Sequence, residues 1–107
     1  MVWTLLTNQD FAGVNMGSKK TVRFTEEGIK KLPNDKPAVY KILTENDQNN
    51  YTGIAKRGRI QERINEHLGE IPGRKVQIEQ MSSIDEAAEK ESHIISRTKP
   101  KYNEQGK

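Results

Sequence analysis

Pro37-Ala38-Val39-Tyr40-Lys41-Ile42-Leu43-Thr44-Glu45-Asn46-Asp47-Gln48-Asn49-Asn50-Tyr51-Thr52-Gly53-Ile54-Ala55 is the stretch whose reading decides how this chain folds. Residues 38–43 alternate as a strand does, with Val39 and Lys41 on one face and Tyr40 and Ile42 on the other. Residues 46–50 are polar and rich in side chains that bond their own backbone, so they read as a hairpin loop. Tyr51 to Ala55 then returns antiparallel. The two tyrosine-bearing strands are expected side by side.

Downstream, Ile60, Ile64 and Leu68 recur every four residues and predict a helix over 59–68, ended by Gly69 and the Pro72-Gly73 pair. Lys75 to Gln80 alternates as a further strand with Val76 and Ile78 inward. Ser83-Ile84-Asp85-Glu86 is a capping box that opens a second main helix. Its expected inward positions are Ile84, Ala87, Ala88, Glu91, Ile94 and Ile95. Pro100 stops it, and Lys101-Tyr102-Asn103 packs back on the body. Upstream, Thr21-Val22-Arg23-Phe24 reads as a short strand, Asn15 to Ser18 as a turn, and Thr25 as the cap of a short helix ended by Pro33. Trp3, Leu5 and Leu6 suit a strand or a packed arm. The expected fold is α/β (α+β): a small three-stranded antiparallel sheet flanked by helices, with one sheet face free to be solvated. Residues 32–107 form the expected domain and 1–31 an extension with no assigned role.

At 107 residues the chain holds one domain, and an apolar content of 32% makes its core small. A formal charge of +3 is a mild basic bias, compatible with nucleic acid without requiring it. Without cysteine, disulfides and thiolate metal sites are excluded. No apolar 18-residue run or signal-peptide core is present, so the expectation is an intracellular protein off the membrane.

Several residues carry chemistry. Glu91 falls within an apolar stripe, where a carboxylate must be paired, protonated or bound to a cation. A structural ion pair and a divalent-metal site both satisfy that demand. Arg63 and His67 lie four apart on one side of their helix. Arginine holds two phosphate oxygens and stays charged, and a neutral histidine accepts a proton. Tyr40 and Tyr51 are either sheet aromatics or phenols whose protons cations or a metal must loosen, since a free phenol titrates near about 10. Gly53 permits close approach of backbone or ligand. No phosphate-binding loop or zinc motif occurs.

In this order the residues resemble the GIY-YIG nuclease domain, found in excision-repair incision subunits, homing endonucleases and structure-specific nucleases. Ala38-Val39-Tyr40, preceded by Leu32-Pro33, is similar to the first signature, and Tyr51-Thr52-Gly53 to the second. Arg63-Ile64-Asn65-Glu66-His67 matches the helix motif. Glu91 to Asn103, with Pro100-Lys101-Tyr102-Asn103 at its end, matches the closing motif. The likeness covers residues 32–103. Ala38 stands for a glycine, Thr52 for an isoleucine or valine, and Ile54 for a frequent lysine or arginine, whose space Lys56 or Arg57 would fill.

The resemblance implies a DNA endonuclease using one magnesium ion, with manganese a substitute, held by Glu91 and leaving 5′-phosphate ends. It implies that Arg63 clamps the scissile phosphate, that Tyr40 with His67 and Tyr51 positions or deprotonates water, and that Asn103 anchors the tail. The DNA would be double-stranded or branched, in repair or recombination, with specificity from an added binding domain or partner protein. Lys41, Lys56, Arg57, Arg59, Arg97, Lys99 and Lys101 are the expected nucleic-acid contacts. The alternatives are a non-catalytic nucleic-acid-binding module on the same fold and a protein-interaction domain.

Overall fold

The computed structural model describes residues 19–105; the turn expected at 15–18 and the arm around Trp3 lie outside the described residues. Four antiparallel strands, β1 (Lys19–Arg23), β2 (Ala38–Leu43), β3 (Asn49–Ala55) and β4 (Lys75–Gln80), form one sheet in the order β1-β4-β2-β3. The helices are α1 (Glu26–Ile29), α2 (Ile60–Asn65), α3 (Ile84–Thr98) and α4 (Lys101–Gln105).

The fold class is mixed α/β as expected, but the sheet has four strands and not three. The Thr21-Val22-Arg23 run is the added strand, and it pairs with the far edge of β4 through Val22↔Val76. A strand whose edge is left open exposes a row of unpaired backbone groups, and β1 fills that edge. Phe24 and Ile29 then enter the same apolar cluster as Tyr40, Ile42, Ile60, Ile64, Val76 and Ile78.

The hairpin forms in the expected direction, with Tyr40↔Gly53 and Ile42↔Tyr51 in register. A bulge between Ile42 and Leu43 absorbs one extra residue before the loop. The loop tightens through Thr44, whose N–H donates to the Gln48 carbonyl at 2.9 Å. Asp47, at φ 67, makes the turn, and its carboxylate pairs with Lys75.

The expectation of a solvated sheet face does not hold for β2. Ala38, Val39, Tyr40, Ile42 and Leu43 are all buried. Tyr40 and Ile42 pack under α2, while α3 crosses β2 and β3 on the Val39 side, where Ala87 and Ile94 are also buried. The buried stripe of α3 is narrower than expected. Ala88 is exposed, and Ile84, Glu91 and Ile95 are half-buried at its flanks. Ser83 caps the helix by accepting from the Glu86 N–H at 3.2 Å, but the Glu86 carboxylate reaches back to Ser82 and not to Ser83.

Helix α2 is shorter than the 59–68 pattern suggests. After Asn65 the chain tightens, with His67 N–H bonded to the Ile64 carbonyl and Leu68 N–H to that of Asn65. Bonds of that span wind the backbone further per residue and weaken quickly with length. Gly69, at φ 81, ends the unit. Its start is held from a distance: Asn34 Oδ1 accepts from Ile60 and Gln61 N–H at 3.0 and 3.2 Å. Arg59 itself makes no side-chain cap, so the Leu32-Pro33-Asn34 segment supplies it. Among the described residues no helix is long and apolar enough to cross a membrane.

Candidate active site

Because antiparallel partners share a face, Tyr40 and Tyr51 point to the same side of the hairpin. Their ring centroids are 6.2 Å apart, and His67, brought over them by the tightened end of α2, stands 5.8 Å from Tyr40 and 4.7 Å from Tyr51. Three rings from two strands and one turn therefore form a single cluster. The Tyr40 hydroxyl lies 2.9 Å from His67 Nε2.

The direction of that bond follows from the other ring nitrogen. His67 Nδ1 is buried without a hydrogen-bond partner, 3.8 Å from Glu70 Oε1. A carboxylate on that side favours the hydrogen on Nδ1, which leaves Nε2 to accept from the Tyr40 phenol. Burial lowers the imidazole below its ordinary 6.5, with Glu70 pulling the other way and Arg63 adding to the fall. His67 is thus neutral near pH 7 and able to take a proton.

Tyr40 is fully buried. Burial raises its phenol well above the ordinary value, and Tyr51 adds to the rise. Arg63 draws it down, and Glu91 and Glu66 push it up again. Tyr51, half-buried, is raised by burial too, against the pull of Arg63 and with the push of Glu91. At both positions desolvation outweighs Arg63, so the protein's own cations leave each phenol above its ordinary value. Tyr40 is a proton donor to His67 as it stands.

Both tyrosines sense Arg63 and Glu91, and His67 senses Arg63. Arg63 is exposed, with its guanidinium 3.7 Å from Glu66. Glu91 is half-buried. Among the described residues no three His, Asp or Glu side chains converge as a metal cage. A magnesium ion with one carboxylate ligand, completed by water and phosphate oxygens, fits this donor set; a zinc or calcium site built wholly from side chains does not.

No protein-family model matches the chain, and no curated protein does. The geometry of the site has to carry its own interpretation.

Gly53 lies across from Tyr40, and a Cβ there would stand 2.7 Å from the Tyr40 hydroxyl oxygen and 2.8 Å from its ring. The approach that glycine permits is to the phenol itself. Gly53→Ala has to push aside a fully buried ring held at its tip. The expected cost is about 2–3 kcal/mol, as for other overpacked cores. That lowers the melting midpoint by roughly 10–20 °C, and thermal unfolding beside the parent measures it. An unchanged midpoint would mean the ring is free to relax.

Asn103 closes the open edge of β3. Its Oδ1 accepts from Thr52 N–H at 2.8 Å and its Nδ2 donates to the Thr52 carbonyl at 2.9 Å. The amide thus imitates one residue of a paired strand and ties the tail beside the Tyr51-Thr52-Gly53 segment.

The expected nucleic-acid contacts other than Arg57 separate into two groups. Lys56, Arg59 and Arg63 line one cleft of about 250 Å³ with Ile54, Ala55 and Ile84. Of the bases considered for the space beside Ile54, Lys56 borders this cleft and Arg57 does not. Lys41, Lys99 and Lys101 border a different groove, and Arg97 belongs to their side through its effect on Lys41. The residue that sequence reasoning missed is Glu70. Its only signal is a position three residues after His67, which puts the two on one side of a turn.

Proposed function

We infer that this protein is a divalent-metal-dependent endonuclease that hydrolyses DNA phosphodiesters and leaves 5′-phosphate ends. The observation that carries the reading is the Tyr40–His67 hydrogen bond inside a three-ring cluster whose phenols both sense Arg63 and Glu91. A packing cluster needs neither a neutral imidazole aimed at a buried hydroxyl nor a cation and a carboxylate acting on the same two phenols. Phosphoryl transfer needs a proton acceptor, a fixed cation for the phosphate and a place for a metal. The GIY-YIG resemblance of residues 32–103 supports the same assignment.

In the proposed reaction Arg63 holds the non-bridging oxygens of the scissile phosphate and offsets the charge that builds on them. In a concerted relay His67 takes the Tyr40 proton through Nε2 as the Tyr40 oxygen takes one from the attacking water, so no free phenolate has to form. Tyr51 packs its ring at a tilt against His67 and fixes the imidazole beside Tyr40. Magnesium at Glu91 would supply charge compensation for the leaving 3′ oxygen. Lys56 and Arg59 continue the positive wall along which the DNA backbone runs.

Cleavage products test the reading directly. Nicks that DNA ligase reseals carry a 5′-phosphate and a 3′-hydroxyl, and the proposal requires them; 3′-phosphate ends would place the chemistry in another class. Arg63→Lys keeps the charge but loses the planar fork. It should slow cleavage at least about tenfold, equivalent to about 1.4 kcal/mol, with no change in melting midpoint. Unchanged cleavage would remove Arg63 from the site.

A further inference from the structure

Tyr40 and Lys41 are neighbours on β2 and so leave the sheet on opposite faces. On the Lys41 face an open groove of about 490 Å³ runs between the β2–β3 loop and the end of α3, bordered by Lys41, Asn49, Asn50, Thr98, Lys99 and Lys101. We propose that this groove is a second binding site for a DNA phosphodiester backbone, which engages a segment of the substrate other than the one held at the Tyr40–His67 cluster. The inference rests on the nuclease reading for its choice of ligand and deepens it to a substrate with two segments, as in branched DNA.

Three observations carry it. The first is convergence of charge. Lys41 is half-buried on β2, where burial and the nearby Lys19, Arg97 and Lys90 all act against its protonation, and only Glu79 acts for it. An arrangement that gathers like charges around a partly desolvated ammonium is costly until an anion enters. A helix C-terminus attracts cations by its own dipole. That accounts for Arg97 and Lys99 but not for Lys41, which a strand delivers to the same place.

The second observation is a built wall. Asn49 Nδ2 donates to Thr52 Oγ1 at 2.7 Å and to Thr98 Oγ1 at 3.3 Å, joining the hairpin to the end of α3. Thr98 in turn bonds the Ile94 carbonyl at 2.8 Å. Among the described residues bordering the groove the one carboxylate, Asp47, is engaged by Lys75.

The third is the backbone of Lys99, which sits in the left-handed region at φ 48 and ψ 64. Glycine is the usual residue there and lysine is strained. The turn continues into the fully buried Pro100 and then Lys101, setting two lysines on either side of one anchored residue. Lysines drawn from a strand, a helix cap and a tail suit an extended chain of phosphates better than one enclosed ion. Tyr40 and Lys41 leave β2 on opposite faces, so the phosphates met at this groove are not those met at the phenol cluster.

The test is equilibrium binding without metal, using labelled linear duplex and four-way branched DNA of equal length across a salt series. Lys41→Gln, Lys99→Gln and Lys101→Gln are combined in one variant. A control combines Lys30→Gln, Lys31→Gln and Lys36→Gln, which removes the same formal charge elsewhere. For branched DNA the slope of log affinity against log salt should be steeper than for linear duplex. The groove variant should lose about 2–3 from that slope, since each phosphate contact contributes about 0.9, and should erase the branched–linear difference. The control should lose less than about 1.

Equal losses in both variants would reduce the effect to net charge, and equal slopes for the two DNAs in the parent would remove the second segment; either overturns the proposal. If the triple variant does not fold, the exposed pair Lys99→Gln and Lys101→Gln carries the test, with an expected loss of about 2 and the same overturning result. A parent that cuts while the groove variant binds unchanged sinks only the groove. A groove-dependent slope in a protein that never cuts sinks only the nuclease.

Discussion

Glu91→Gln is expected to fold as the parent does and to lose metal-dependent cleavage by about a thousandfold or more, equivalent to about 4 kcal/mol of barrier. The amide is nearly isosteric with the carboxylate but is a poor ligand for a hard divalent cation. Glu91 is half-buried, and its charge raises the phenols of Tyr40 and Tyr51. Removing that charge relaxes both tyrosines slightly toward their ionised forms, so the loss of cutting cannot come from a less favourable phenol. A structural ion pair predicts the opposite pattern. Breaking a pair that is partly desolvated leaves its partner uncompensated, at a cost of up to about 3–5 kcal/mol when burial is complete. Melting midpoint and cleavage rate on one preparation separate the two. Large destabilisation, or normal cutting, would sink the metal-ligand assignment.

Tyr40→Phe should leave the ring in place and slow cutting by about 10²–10⁴-fold, the range in which a positioned proton-transfer group acts. The hydroxyl removed is buried and lies 2.9 Å from His67 Nε2. Loss of that bond costs about 1 kcal/mol of stability, a small effect beside the rate. Tyr51→Phe, at a half-buried ring tilted against His67, should be milder. Full activity in the Tyr40 variant would assign the residue to packing.

The same pair sets the acid limb of the pH profile. Burial lowers His67 from 6.5, so the imidazole stays neutral, and able to accept a proton, below the pH at which an exposed histidine would already be charged. Cleavage should fall with pH only below about 6.5. Glu70 raises the imidazole against burial. Glu70→Gln should therefore move the acid inflection lower still. An inflection above 6.5, or one that Glu70→Gln leaves in place, would detach His67 from the proton transfer.

Local pattern carried a great deal of this architecture. Strand alternation in Ala38 to Leu43 and a polar loop were enough to pair the tyrosines, because a hairpin needs no information beyond its own residues. The position of His67 over them was not legible. It depends on a tightening of the backbone after Asn65 that a repeat of apolar residues every four positions does not encode. The fourth strand was visible as a short run but not as part of the sheet, since its partner β4 lies far downstream and pairing at that distance leaves no local mark. Glu91 was found because a carboxylate in an apolar stripe is anomalous, whereas Ala88 was placed inward by the same stripe and is exposed. Glu70 is an ordinary surface glutamate in sequence, and only the buried Nδ1 beside it gives it meaning. The basic residues were picked out by type. Their division between the Lys56–Arg59–Arg63 cleft and the Lys41–Lys99–Lys101 groove depends on where loops and helix ends meet in the fold, which residue type does not encode.

The most direct measurement is plasmid and branched-DNA cleavage by the purified protein with magnesium, with manganese and with a chelator, run beside Glu91→Gln and Tyr40→Phe. Nicking that requires the metal, yields ligatable 5′-phosphate ends and disappears in both variants is the predicted result. Intact DNA under every metal condition from a folded parent protein, or cutting that persists undiminished in chelator and in both variants, would contradict it.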